Sequence, residues 1–289
     1  MENWYEKSIK ALQLNGMAER TQDAYARSVR MLVEHFNKTP DVITEEELQE
    51  YFLHRKNACK WSSNTMRICY SGIKFFFVNV LRRNWHLLDI IRAQTEHRLP
   101  TVLSTEEVRG IFAKVTSLPN HAFLSTVYAC GLRLQEARYL EVADIDSSRM
   151  MIHVHRGKGA KDRMVPLPQA TLALLRKHWA THKNPRLIFP ALGRNNKKGS
   201  DGQTPVAVST VQGALRSAKK AAGIQKRGVS VHTLRHSYAT HLLEAGVNLR
   251  VIQRYMGHSR LETTMIYLHL TTKGQEDAYK IIDQLMAGV

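Results

Sequence analysis

Residues 232–267 read HTLRHSYATHLLEAGVNLRVIQRYMGHSRLETTMIY, and this stretch governs how the rest of the chain is understood. His232 and Arg235 stand at i and i+3, so a helix projects both from one face. Leu234, Tyr238 and Leu242 form the opposite, buried stripe, and Gly246 ends that helix. Asn248 is the expected cap of a second helix with Leu249, Ile252 and Met256 apolar, stopped by Gly257. His258 follows at an exposed turn, and Tyr267 comes nine residues later. Of the other histidines here, His236 is expected to be structural and His241 to face solvent.

Upstream, the chain alternates from Met151 to His155, with Ile152 and Val154 on one face and His153 and His155 on the other. Gly-Lys-Gly-Ala-Lys-Asp then leads to a return strand, Arg163-Met164-Val165, closed by Pro166, so a hairpin is predicted. His153 and His155 have the i, i+2 spacing of a metal pair, but no third donor is expected in register, so no metal site is read. From Ala191 to Pro205 the chain is rich in Gly, Asn and Lys and is expected to be a mobile surface loop.

The first third reads as helices. Thr21 is the expected cap of a helix with Tyr25, Val29, Leu32 and Phe36 at three-to-four-residue spacing. Thr44-x-x-Glu47 is a capping-box pattern ahead of Leu48, Tyr51 and Phe52. Ser62 or Ser63 opens a third helix whose stripe of Cys69, Ile73, Phe76, Phe77 and Val80 is core. Arg67 and Lys74 lie on its other side, and Arg82 and Arg83 close it near the negative end of its dipole. A polar stretch, RAQTEHRLP, residues 92–100, separates this part from the rest.

The 289 residues carry 42 Lys and Arg against 25 Asp and Glu, a formal net charge of +17. Residues 1–95 hold 14 basic and 11 acidic side chains, whereas residues 96–289 hold 28 and 14, so most of the excess lies in the second part. A chain this basic calls for a polyanion, and nucleic acid is the first candidate. No apolar run approaches the ~20 residues that span a bilayer. Glu2 and Glu6 stand where a secretory leader would be basic, and the three cysteines are odd in number and widely spaced. Both features point to the reducing cytoplasm and to no zinc site.

The motif set of residues 131–136 (GLRLQE), the Gly157-Lys158-Gly159 turn, His232-x-x-Arg235, His258 and Tyr267 resembles the tyrosine recombinases, or phage integrase family. The likeness is closest to the short Xer-like and integron-integrase-like members. It covers residues ~100–272 through four separated motifs in order, and the helical first part by size and pattern. Val231 departs from the proline that often precedes the first histidine of the family. The resemblance implies two domains. An all-α, SAM-like core-binding domain would occupy residues 1–95. A mainly α, α+β catalytic domain with a small antiparallel sheet would occupy residues 96–289. It further implies Arg133, Lys158, His232, Arg235, His258 and Tyr267 as catalytic residues, with Glu136 in support, and no cofactor.

Those residue types suit cleavage of a phosphodiester. Two guanidiniums offer forked donors to the nonbridging oxygens of a five-coordinate phosphorane, and His258 adds another hydrogen bond. Tyr267 attacks phosphorus to leave a 3′-phosphotyrosine, its proton passing to His232 as acceptor or orienter. Lys158, with Lys161 as its rival, gives a proton to the departing 5′ oxygen. Duplex DNA is the implied substrate, with Arg67, Lys74, Arg82, Arg83, Lys161 and Arg163 as expected contacts. A tetramer on two DNA sites is also implied, joined through a terminal helix with Ala278, Ile281, Ile282, Leu285 and Met286 on one stripe. A silent DNA-binding regulator of the same fold and a type IB topoisomerase-like relaxing enzyme are the alternatives.

If the charge excess faces a phosphate backbone, DNA affinity falls steeply with salt. The logarithm of the binding constant is expected to drop with a slope of about 0.9 per phosphate contact, measured by anisotropy between about 50 and 200 mM salt.

Overall fold

The computed structural model describes residues 3–90, 99–155, 162–193, 202–271, 282–284 and 286–287. The chain divides into two compact units, Met1–Arg98 and Leu99–Val289.

The first unit holds α1 (Trp4–Leu14), α2 (Glu19–Phe36), α3 (Glu45–Asn57), α4 (Ser63–Asn79) and a last short turn, α5 (Leu87–Ile90). Local rules set several of its boundaries. Thr44 and Glu47 form a full capping box at the start of α3, and Ser62, not Ser63, caps α4 through the Thr65 amide. Helix α2 begins two residues before Thr21, with Ala18 at the cap position and no side-chain cap, so Thr21 lies inside the helix. Arg82 and Arg83 lie beyond the end of α4, which stops at Asn79. The aromatic stripe is core: Ile73, Phe76 and Phe77 pack with Val29, Leu32, Tyr51 and Phe52.

The second unit holds α6 (Thr105–Ala113), α7 (Leu118–Ala129), α8 (Leu134–Arg138), β1 (Ile145–Asp146), β2 (Met151–Val154) and β3 (Arg163–Pro166). After these come α9 (Gln169–Trp179), α10 (Val208–Ala221), α11 (Val231–Glu244), α12 (Leu249–Met256) and α13 (Glu262–Met265). Helix α7 is the hub, its Phe123, Leu124 and Val127 fully buried as it packs against α9, α10 and α11. The three strands form one antiparallel sheet in the order β1-β2-β3. Strand β1 is a two-residue piece that the hairpin pattern does not announce. Val154 pairs with Arg163, which sets Asp162 opposite His155. A third donor therefore does stand beside His153 and His155, contrary to the sequence reading.

Residues 92–98 of the proposed boundary and residues 194–201 of the 191–205 loop lie outside the described residues. The loop's two ends are joined, with the Ala191 amide bonded to the Thr204 carbonyl.

Two helix stops aim the chain at the site. Gly131 takes φ +60° just past α7, and the Leu132 amide reaches back to Val127. Gly257 takes φ +60° at the end of α12, with the His258 amide on Gln253. A Cβ on Gly131 would lie 2.6 Å from the Tyr238 ring. Gly131→Ala is therefore expected to cost about 2–5 kcal/mol from left-handed strain and overpacking. Gly213→Ala, a helical site with nothing within 4 Å, is expected to gain about 1 kcal/mol. Thermal melts of the two variants beside the parent check both signs.

Candidate active site

The site grows from a short helix start. Arg133 is the residue before α8, and Glu136 is its third residue, so the Glu136 carboxylate turns back to accept the Arg133 amide at 2.7 Å. The same carboxylate accepts Arg133 Nη1 at 2.7 Å and both terminal nitrogens of Arg163, at 2.8 and 2.7 Å. Arg235 Nη1 lies 3.8 Å from it. Three guanidiniums thus converge on one carboxylate whose side chain is 8% exposed. The fork of Arg163 and the charges around it hold Glu136 down at about 2, against the opposing pull of burial.

Backbone carbonyls complete the frame. Arg133 Nη2 donates to the Gly257 carbonyl at 2.9 Å, and Arg163 Nε to that of Tyr255 at 2.8 Å. Arg235, 4% exposed on α11, donates to the carbonyls of Gly131 and Met256, the residues at the two helix stops. Burial and then the Arg133 charge pull Arg235 down to about 9, still protonated at neutral pH. Gly257 has a steric role as well, since a Cβ there would meet the Arg163 shaft at 2.9 Å.

His258 leaves α12 with Nε2 3.4 Å from Arg235 Nη2 and Nδ1 2.9 Å from Thr264 Oγ1. Burial, Arg235 and Arg133 push its imidazole to about 3, so it is neutral. Its ring stacks on Tyr267 at 6.3 Å and 19°. Tyr267 itself is 1% exposed, packed with Ala239, Ile252 and Met256. Burial raises its phenol to about 12 while Arg235 and Arg133 pull the other way. His232, on the same turn as Arg235, is the open member of the set and is lowered by desolvation, then by Arg235 and Arg133.

The structure therefore brings Arg133, Glu136, His232, Arg235, His258 and Tyr267 together. Lys158 and Lys161 lie outside the described residues. Three readings need correction. Among the described residues the hydrogen-bond partner of the Tyr267 hydroxyl is His236 Nδ1, at 3.0 Å, and not His232. His236 sits one residue past Arg235, where helical geometry turns it to the tyrosine; burial and Arg235 lower it to about 4. His241 does not face solvent: it bridges the Tyr128 hydroxyl and the Leu103 carbonyl, both at 2.9 Å. Arg163, expected on DNA, has a side chain 7% exposed and spends its donors on Glu136 and Tyr255. A basic residue beside a Gly-Lys-Gly turn gives no sign of this, because its partner is 27 residues away.

In the first unit, Lys74 is tied to Leu88 and Asp89, and Arg83 donates to the Asp41 carbonyl. Arg67 and Arg82 are exposed.

Residues 101–273 match the phage integrase family, and residues 4–87 match its N-terminal SAM-like domain. The chain belongs to the phage integrase family. A Sinorhizobium fredii protein that carries an integrase/recombinase name is 36% identical over 92% of this chain and 84% of its own. A protein of Thermosipho africanus named tyrosine recombinase is 33% identical over 91% and 93%. Among solved structures, XerH recombinase bound to a palindromic difH substrate superposes with a TM-score of 0.71 at 22% identity, covering 94% of this chain and 83% of that one. A lambda integrase dimer bound to a core site gives 0.72 at 17%, covering 91% and 93%. Both share the fold: a helical SAM-like domain followed by a mostly helical catalytic domain with a small antiparallel sheet.

The Glu136 geometry has a measurable consequence. A carboxyl held below its ordinary 4.5 in the folded state contributes stability that is complete above about 4.5 and is lost as pH falls toward 2. Arg163→Ala removes the fork and is expected to cost about 3–5 kcal/mol at neutral pH, as for a broken buried ion pair. The parent should lose a few kcal/mol across that acid window and the variant much less, read by denaturant unfolding as a function of pH.

Proposed function

We propose that Arg133, His232, Arg235, His258 and Tyr267, with Lys158 from the hairpin, are the residues with which this recombinase cuts and rejoins DNA. The chain is a site-specific tyrosine recombinase, an enzyme of DNA strand breakage and rejoining. The observation that carries the residue assignment is the charge balance of the pocket. Three guanidiniums share one carboxylate, an excess of two positive charges beside a phenol. A phosphodiester gaining charge as it becomes a five-coordinate phosphorane meets that excess where Arg133 and Arg235 offer it donors.

The chemistry follows from the contacts. The Tyr267 oxygen bonds to phosphorus, the bond from phosphorus to the 5′ oxygen breaks, and a 3′-phosphotyrosyl link and a free 5′ hydroxyl result. The phenol proton has a neutral acceptor already within 3.0 Å, His236 Nδ1. The leaving oxygen takes its proton from Lys158, as the family resemblance implies. Because the linkage retains the energy of the phosphodiester, attack by a 5′ hydroxyl restores DNA without ATP. Tyr267 is too deeply packed to touch a phosphate where it stands, so cleavage includes a displacement of the segment that carries it.

The substrate is duplex DNA, with Arg67 and Arg82 as open contacts of the first unit. The enzyme works as a tetramer on two sites, in the cytoplasm, on a mobile element. Integrase/recombinase names among the relatives support the last of these. For the terminal helix, Ala278, Ile281 and Leu285 lie outside the described residues, while Ile282 and Met286 are 53% and 64% exposed, as a surface awaiting a second protomer requires. Among the described residues no helix is long and apolar enough to cross a membrane.

Tyr267→Phe removes the nucleophilic oxygen and leaves the ring. It is expected to bind a nicked crossover site as the parent does and to form no covalent adduct. A denaturing gel reads the adduct, and a shifted band with the variant would end the assignment.

A further inference from the structure

We propose that His153, His155 and Asp162 form a binding site for a divalent transition-metal ion of the zinc class, clasping β2 to β3. None of the three is among the residues assigned above to cutting and rejoining DNA.

The site follows from register. His153 and His155 are two residues apart on β2 and share a face of the sheet. The pairing of Val154 with Arg163 sets Asp162 across from His155 on that same face. The donors are within reach of a single ion. Asp162 Oδ2 is 3.3 Å from His153 Nε2 and 3.6 Å from His155 Nδ1, and all three ligand atoms lie within 4.8 Å of one another. A tetrahedral zinc ion with bonds of about 2.0–2.2 Å separates its ligands by roughly 3.3–3.6 Å, which is the spacing of these two contacts.

A second, independent observation concerns the far side of His155. Its Nε2 lies 2.8 Å from Asp144 Oδ1, which holds the ring with Nδ1 turned toward Asp162. Asp144 is itself fixed: its side chain is 8% exposed, and Oδ2 accepts the Glu141 amide at 2.8 Å. A carboxylate behind a ligating imidazole is the usual support that fixes the tautomer and ring orientation of a metal-bound histidine.

Two imidazoles and one carboxylate favour zinc, nickel or copper over magnesium or calcium, which prefer all-oxygen sets. The three side chains are 38%, 53% and 51% exposed, so water can complete the coordination. The ion would join the two strands at the points where residues 156–161 leave β2 and return to β3.

The experiment uses the full chain after chelator treatment, titrated calorimetrically with zinc alone and by absorption with cobalt alone. One saturable equivalent is expected, with the visible spectrum of a tetrahedral cobalt site. His153→Ala, His155→Ala and Asp162→Asn should each weaken zinc binding by more than about tenfold, and Asp144→Asn by about 10–100-fold although it touches no ion. His86→Ala, an exposed histidine of the other unit, should leave binding unchanged. Asp162→Asn keeps the side-chain shape, so a melting curve equal to the parent's without metal separates lost binding from lost folding. Absence of a saturable equivalent, or equal affinity in the parent and the three ligand variants, overturns the proposal. It stands apart from the catalytic reading, since metal binding is measured without DNA.

Discussion

One carboxylate holds this catalytic domain in register. Positive charges brought side by side out of water repel, and gathering three guanidiniums needs an anion among them that is itself fully hydrogen-bonded. Glu136 meets both requirements with the Arg133 amide, the Arg133 side chain and the fork of Arg163. Each arginine comes from a different part of the chain: a helix start, a strand and a central helix. The left-handed turns at Gly131 and Gly257 exist in the same frame, because they aim the carbonyls of residues 131, 256 and 257 at Arg235 and Arg133. Moving Glu136 would unsettle all of them.

The histidines show the complementary effect. His258 and His236 lie within the field of these arginines and are driven neutral, by burial first and by like charge second. A neutral imidazole accepts a proton; a charged one cannot. In the proposed mechanism the positive field that receives a phosphate is thus the one that keeps the imidazole beside the phenol neutral, and Arg235 contributes to both.

What could be read in the sequence is what short-range rules decide. The Thr44–Glu47 box, the Ser62 cap, the glycine stops and the stripe from Cys69 to Phe77 depend on residues within a few positions of one another, and their patterns carried through. His232-x-x-Arg235, His258 and Tyr267 stood out only with residues 131–136 and the Gly157-Lys158-Gly159 turn, through resemblance of the whole set to a family. Arg163 was misread because a buried arginine and a surface one look alike until the partner 27 residues off is known. His236 reads as structural in the sequence because the tyrosine it bonds approaches from a different element, 31 residues away. Asp162 was missed because strand register, which turns on a single residue, is fixed by pairing and not by composition.

Tyr267 occupies a place in a small apolar cluster and is also the nucleophile of the proposed reaction. One side chain cannot serve both ends at once. Lifting its ring out leaves a void among Ala239, Ile252 and Met256, and emptying an aromatic from a core costs on the order of 3–5 kcal/mol. If Tyr267 is the nucleophile, the cleavage-ready arrangement is a minor population of the free protein, and affinity for DNA in that arrangement is lowered by the same fraction, roughly a hundredfold or more. On that reading the contacts made with DNA are stronger than a dissociation constant will report, the difference being stored in a displaced tyrosine.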